Sequence, residues 1–334
     1  MVVQLFQEEH NMSLTINHQT DDISNLTGVT TFNGVAVGGD NSPTWYGSRG
    51  IFAGGFDFDF TYTNVIDYIT IANTGNATDF GDLTAAIRHS AGCSNGSRGI
   101  ITNGYAQSSA SLRNIEYVTI ATTGNATSFG DLTQARQMGT ACSNGTRGLT
   151  LGGHSGSIAF NIIDYITIAT TGNAIDFGDL SGGRRFSAAC ADSTRGVIGG
   201  GTNASNGTEN TIEYVTVATT GNATDFGDLT VSRFSLASCS STVRGIFAAG
   251  RTSSSSNVID YITIQTTGNA TDFGDLTVAR RGAAGSSNNT RGVFGGGQVD
   301  YTEIDYITID TTGNSTDFGD LTVGRGEAAA TAGT

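Results

Sequence analysis

The sequence predicts an all-β protein: a six-bladed β-propeller with four antiparallel strands per blade, closed into a ring. Three observations carry the prediction. One phrase recurs six times, first as Ile66-Asp67-Tyr68-Ile69-Thr70-Ile71 and Thr74-Gly75-Asn76-Ala77-Thr78-Asp79-Phe80-Gly81-Asp82-Leu83, last as Ile304-Asp305-Tyr306 and Asp317-Phe318-Gly319-Asp320-Leu321. Its tyrosines, Tyr68, Tyr117, Tyr165, Tyr214, Tyr261 and Tyr306, lie 49, 48, 49, 47 and 45 residues apart. A period of about 40 to 50 residues with several short β-patterned segments is that of propeller blades, since solenoid repeats are mostly shorter or helical. Finally, 48 glycines and one proline among many Thr, Ser, Ile and Val suit short strands and tight turns, with no long amphipathic helical period.

One unit cannot bury its own apolar faces and must stack on its neighbours, so the repeat overrides the two domains that 334 residues would suggest by length. The expected division is an N-terminal arm, residues 1–45, and a propeller, residues 46–334. In the second unit strand A is expected at residues 88–94, B at 98–103, C at 114–121 and D at 128–133. Small residues dominate A, which places it innermost, where strands converge. Strand C alternates Glu116, Val118 and Ile120 with Ile115, Tyr117 and Thr119, so a strand between neighbouring blades uses both faces for packing. The turn at Gly124-Asn125 is of the kind that accepts positive φ. The last copy stops at a strand A without a B, and the first begins at a strand B, Arg49-Gly50-Ile51-Phe52-Ala53, without an A. Joining them completes six blades and removes the open edges.

The net charge of −14 and pI near 4.5 would repel a phosphate backbone, which excludes nucleic acid as the expected partner. All sixteen basic residues are arginine, twelve of them read at two fixed places in the repeat, a distribution that suggests positioned guanidinium contacts. No apolar run approaches the roughly 20 residues of a membrane span, and residues 1–7 are too short and uncharged for a secretory signal; the expectation is a soluble chain without membrane insertion. Cys93, Cys142, Cys190 and Cys239 share one slot, read as continuing in Ser286 and Ala330. Such a slot wants a small buried side chain; no Cys-x-x-Cys or nearby His suggests a metal.

The pattern resembles the Kelch-type β-propeller. The likeness lies in a strand-A arginine (Arg88, Arg136, Arg184, Arg233, Arg280, Arg325), in paired glycines closing strand B (Gly54-Gly55, Gly152-Gly153, Gly200-Gly201, Gly296-Gly297), in the strand-C tyrosine and in a strand-D aromatic. It covers residues 46–334. It departs from that family in placing Phe80, Phe129, Phe177, Phe226, Phe273 and Phe318 where tryptophan is usual, and in a longer interval from the tyrosine to that aromatic. Function does not carry over from eukaryotic Kelch adaptors. The repeated phrase also looks like propeller proteins of tailed, especially marine, bacteriophages. That resemblance implies a virion structural or fibre component.

Candidate chemistry is sparse. Asp79-Phe80-Gly81-Asp82 and its copies look like the Asp-box turns of sialidase propellers, but a catalytic carboxylate set would be asymmetric, and here Asp82, Asp131, Asp179, Asp228, Asp275 and Asp320 occur in every blade. They are read as structural turns ahead of a calcium-binding turn or glycosidase chemistry. Arg49, Arg98, Arg147, Arg195, Arg244 and Arg291 open strand B and are expected to be structural, lining the channel or pairing with the Asp82 series; a ring binding an axial anion is the alternative. His10, His18, His89 and His154 share no metal-ligand spacing and read as incidental. Asn-x-Ser/Thr triplets fall out of the turn sequence. No cofactor, metal or catalytic residue is expected.

What varies between units is the segment joining B to C, and all six such segments emerge on one face. A rigid frame presenting one diversified surface is how loops commonly carry recognition. The candidate contacts are Phe56, Phe58, Phe60, Tyr62, Tyr105, His154, Phe160, Asn203, Arg251 and Tyr301. Aromatics beside Asp, Asn and Ser can stack on sugar rings or dock a protein neighbour, whereas an unimportant surface would show only drift. Val2, Val3, Leu5 and Phe6 of the arm have no small core to cover them; the arm is expected to pack on the propeller or on another subunit. The reading is a non-enzymatic phage virion protein in a symmetric assembly, bound to other virion proteins through residues 1–45 and presenting its loops to a cell-surface glycan or to neighbouring subunits. A free extracellular lectin or adhesin is the alternative, and a propeller hydrolase or oxidase lacks an asymmetric set of reactive groups.

Overall fold

The computed structural model describes residues 46–334 except 58, 109, 299 and 300, and, within residues 1–45, only the backbone of five short strands. The chain divides into two units, Met1–Ser42 and Pro43–Thr334. In the first, Val3–Gln7, His10–Asn17 and Asp22–Ser24 form an antiparallel sheet, and Thr31–Phe32 pairs with Val35–Ala36. The side chains of Val2, Val3, Leu5 and Phe6 lie outside the described residues.

The second unit is the six-bladed propeller, without helix among its described residues. Each sheet has the order A-B-C-D, all antiparallel, as in the second blade: Ala91–Ser94, Arg98–Thr102, Leu112–Thr119 and Thr127–Arg136. The ring closes as the ends of the repeat require. Ala329–Gly333 is strand A of the first blade and pairs with strand B, Arg49–Ala53, from Ala329 opposite Ala53 to Gly333 opposite Arg49.

Four details differ from the expected pattern. Strand A is shorter, starting at Ala91 rather than residue 88, and Ile87–Arg88 pairs separately with Tyr105–Ala106. Counting from the leucine that closes strand D, the slot of Arg136 is filled in the preceding linker by Ile87, and Arg88 lies one residue later. The same count puts Thr331, not Ala330, in the cysteine slot. The Asp-Phe-Gly-Asp segments are not turns; each lies within strand D, as in Thr78–Asp82.

The cysteine slot is small because it faces glycine. All four cysteines are free and buried, and a Cβ on Gly245 or Gly292 would meet Sγ of Cys190 at 2.6 Å or of Cys239 at 2.5 Å. Each thiol fills the place of a missing side chain in the next blade. Around these contacts Ile51, Phe52, Ile100, Phe247 and Phe294 are fully buried, each contributing about 1.5 to 3 kcal/mol by leaving water.

Three repeated ties join neighbouring blades. At the rim, the C–D turn of one blade latches onto strand D of the blade before it. Gly124 N–H donates to the Phe80 carbonyl and Ala126 N–H to that of Asp82, both at 2.8 Å, while Asp82 N–H donates to Asn125 Oδ1 at 3.0 Å. Gly130 must be glycine, since any Cβ there would overlap the Gly172 carbonyl of the latching turn.

The second tie is Arg49 and its five equivalents, which neither line the channel nor pair with the Asp82 series. Each guanidinium lies over the tyrosine of its own blade, from 4.8 Å for Arg49 on Tyr68 to 4.2 Å for Arg291 on Tyr306, and that ring meets the strand-D phenylalanine edge-on. Nη1 donates to carbonyls of the next blade, Ile120 and Ala121 in the case of Arg49.

The third tie is a buried ion pair. Arg136, Arg184, Arg233, Arg280 and Arg325 reach into the next blade to Asp164, Glu213, Asp260, Asp305 and Asp67 at 3.0 to 3.2 Å. Burial pulls these guanidinium pKa values down, and the facing carboxylate pulls back. In the sixth place Ile87 replaces the arginine, and Glu116 accepts from Thr84 N–H at 3.1 Å and Asn114 Nδ2 at 3.0 Å.

Candidate binding face

The B–C loops and the D–A linkers share one face, and there a second, non-repeating set of side chains collects around the channel mouth. The first loop residue of each blade pairs through its backbone with the first residue after the preceding linker's arginine slot: Phe56 with Gly326, Tyr105 with Arg88, His154 with Gln137, Thr202 with Arg185, Arg251 with Phe234, and Gln298 with Arg281. The glycine before each loop residue bonds the next linker instead, as Gly250 N–H does to the Arg280 carbonyl at 2.9 Å. Loop and linker residues therefore alternate around the mouth in a ring of twelve.

Inside this ring runs a smaller one of six residues with positive φ: His89 (57°), Met138 (59°), Phe186 (56°), Ser235 (55°), Gly282 (67°) and Glu327 (58°). Each donates its N–H to the carbonyl of the previous one, and His89 to that of Glu327, closing six hydrogen bonds of 2.7 to 3.1 Å about the axis. For a residue with a side chain this conformation costs on the order of 1 to 3 kcal/mol and persists where the surroundings over-determine it; the hydrogen-bonded ring does that.

Apart from Gly282 the six positions carry five different side chains, and two of them touch. His89 Nε2 contacts Glu327 Oε2, and His89 Nδ1 lies 2.9 Å from Gln137 Oε1. Gln298 donates its amide to Glu327 Oε1, and Arg281 Nε donates to Gln298 Oε1. Burial lowers His89 to about 3 and raises Glu327 to about 7, which favours the neutral form of both; in that form Glu327 Oε2–H donates to His89 Nε2 and His89 Nδ1–H to Gln137 Oε1. The whole chain then runs in one direction, Arg281 to Gln298 to Glu327 to His89 to Gln137. The mouth itself is a cavity of about 80 Å³ walled by His89, Glu327, Met138, Phe186, Ser187 and Leu236 among others.

At the other end of the channel stands Tyr46, its hydroxyl 3.3 Å from Ser240 Oγ and its pKa pushed up by burial.

The expected contact residues separate on this face. Phe60 is 64% exposed and stacks on Phe56 with centroids 5.4 Å apart. Phe56, His154 and Phe160 are buried rather than presented. Phe56, Tyr62 and Tyr105 surround Arg88 at 4.9, 4.8 and 5.7 Å, so these rings hold an internal cation. Asn203 shapes its own loop, accepting from Ser205 and Gly207 N–H. Tyr62, Tyr105, Arg251 and Tyr301 are partly exposed, and Phe58 lies outside the described residues. The Asp82 series works mainly through its main chain; among the described residues only Asp131 and Asp320 show side-chain partners, Arg113 at 3.8 Å and Thr302 at 2.8 Å. No group of three or more His, Cys, Asp or Glu could hold a metal ion among the described residues.

Sequence reasoning passed over the His89–Glu327 couple. The available signal was that the two residues after the arginine slot do not repeat while everything around them does. Compared with known proteins, the chain matches no protein-family model and none of the curated proteins.

Proposed function

We propose that this protein is a non-enzymatic recognition scaffold of a phage virion, a Kelch-like propeller carried in a symmetric assembly through residues 1–45 and presenting its loop face to a cell-surface glycan. One observation carries the reading: ties between blades repeat around the ring, whereas the twelve positions around the mouth hold aromatic, amide, hydroxyl, imidazole and guanidinium groups in no repeating order. Chemical diversity concentrated on a rigid frame is the arrangement of a binding surface. Glycoside hydrolysis ordinarily needs two carboxyl groups flanking the bond, and the described residues of the mouth supply one, Glu327.

The test is cryo-electron microscopy of particles of the encoding phage together with a glycan array of the full chain. The expected result is the propeller in integral symmetric copy number, loop face outward, with saturable glycan binding. Absence from particles would overturn the virion reading, and glycan binding without particles would leave a free lectin.

A further inference from the structure

We propose that the cleft between Arg251 and Arg281, where the fifth and sixth blades meet on the loop face, binds an oxyanion carried on a sugar, a carboxylate or a sulfate ester. This rests on the glycan-recognition reading and names its ligand class.

In the ring of twelve, Arg88 stands between the aromatics Phe56 and Tyr105, and Arg185 between His154 and Thr202, donating to Thr202 Oγ1 at 3.2 Å. Arg281 stands between Gln298 and Arg251. It is the place among the described ring positions where two arginines are neighbours, and both line one cleft.

The lining suits an anion. Arg251, Arg281, Ser254, Ser255, Gln298 and Tyr301 bound a cleft of about 240 Å³. Among its described residues there is no carboxylate, and guanidinium and hydroxyl donors predominate. Arg281 is oriented by Gln298, itself held by Glu327, which leaves its terminal amino groups for a ligand. The Arg251 side chain has no hydrogen-bond or ion-pair partner among the described residues. Two planar forks suit carboxylate and sulfate oxygens, which they bind in pairs.

Charge allocation points the same way. Of sixteen arginines, eleven serve the two inter-blade sets and Arg113 pairs with Asp131 at the side. The remaining four, Arg88, Arg185, Arg251 and Arg281, all lie on the loop face of a chain whose net charge is −14. An anionic ligand must approach against that overall field, which only a local cationic site offsets.

The experiment is titration calorimetry of the full chain with three matched oligosaccharide sets, neutral, carboxylate-bearing and sulfated, with inorganic sulfate as competitor. Binding of a charged set, displaced by sulfate and weakened about tenfold or more in Arg251→Ala, the size of one lost charge-assisted hydrogen bond, is the expected result, and the preferred set tells carboxylate from sulfate. Arg251→Gln, which keeps bulk and removes charge, should behave like alanine, with circular dichroism confirming the fold. Binding of the neutral set alone, or of a charged set unmoved by either variant, overturns the oxyanion site and leaves glycan recognition standing. Failure to bind any set overturns both.

Discussion

Arg136 Nη2 lies 3.0 Å from Asp164 Oδ2, and neither side chain is exposed to solvent. The pair joins the linker leaving the second blade to strand C of the third, and Thr133 Oγ1 donates to the same carboxylate at 2.7 Å. Breaking such a pair leaves a buried charge uncompensated, which costs about 3 to 5 kcal/mol. Asp164→Asn is therefore expected to lower unfolding free energy by that amount in a denaturant titration. Glu116→Gln is expected to cost less, about 1 to 3 kcal/mol, because Ile87 leaves no arginine charge stranded beside it, while the single amide oxygen cannot accept at both places and one of the two donors, Thr84 N–H or Asn114 Nδ2, loses its acceptor.

The rim latch predicts a graded response. Asn125→Ala removes one hydrogen bond, to Asp82 N–H, and is expected to cost about 0.5 to 1.5 kcal/mol. Gly130→Ala drives a methyl group into the Gly172 carbonyl and is expected to cost more, about 1 to 3 kcal/mol by overpacking. Midpoints of chemical denaturation would rank the two, and the reverse order would count against the latch.

The His89–Glu327 couple predicts how stability follows pH. Glu327 is raised from 4.5 to about 7 when folded, so its contribution is fully present below pH 4.5 and lost as pH rises through 7. His89 is lowered from 6.5 to about 3, so its contribution is fully present above pH 6.5 and lost as pH falls through 3. Between pH 4.5 and 6.5 folded and unfolded chains each hold one proton on the couple, and it adds no slope. Below 4.5 the unfolded chain holds two and the folded chain one, so the couple removes up to about 1.4 kcal/mol per pH unit down to about pH 3. The double variant His89→Gln, Glu327→Gln should lose that acid limb; an unchanged limb would show that other groups cause it.

Thiol accessibility tests the inter-blade packing. Burial pushes the Cys93 thiol up to about 12 and those of Cys142, Cys190 and Cys239 well above the ordinary value, and only the thiolate reacts readily. A thiol reagent at pH 8 is expected to modify none of the four in the folded protein and all four after denaturation. Cys239→Val, with its added bulk opposite Gly292, should destabilise by about 1 to 3 kcal/mol.

The repeat made the ring, its blade count and its closure legible, because each copied residue meets the same neighbours in every blade. Copying also hid something: a residue fixed for contact with the adjacent blade looks the same as one fixed for its own turn. Gly124-Asn125 was read as a local turn, and only its latch onto Phe80 and Asp82 shows why glycine stands beside those residues too. The arginine slot was misplaced by one residue at Arg88 for a related reason. The residue type fitted, and the register that assigns Ile87 to that slot is visible only by counting from strand D.

By itself the sequence determined the blades, since hydrophobic alternation, turn residues and period are local properties written along the chain. It also determined that the loops differ. What the tertiary structure decided was which of those differences meet. Arg251 and Arg281 are 30 positions apart and become neighbours where the loop of the fifth blade meets the linker leaving it, whereas His89 and Glu327, 238 apart by their numbers, meet only because the last strand pairs with the first and the ring closes. The second kind of proximity depends on the closed geometry of all six blades, and the first on the packing of neighbouring ones, so the local pattern along the chain carries neither.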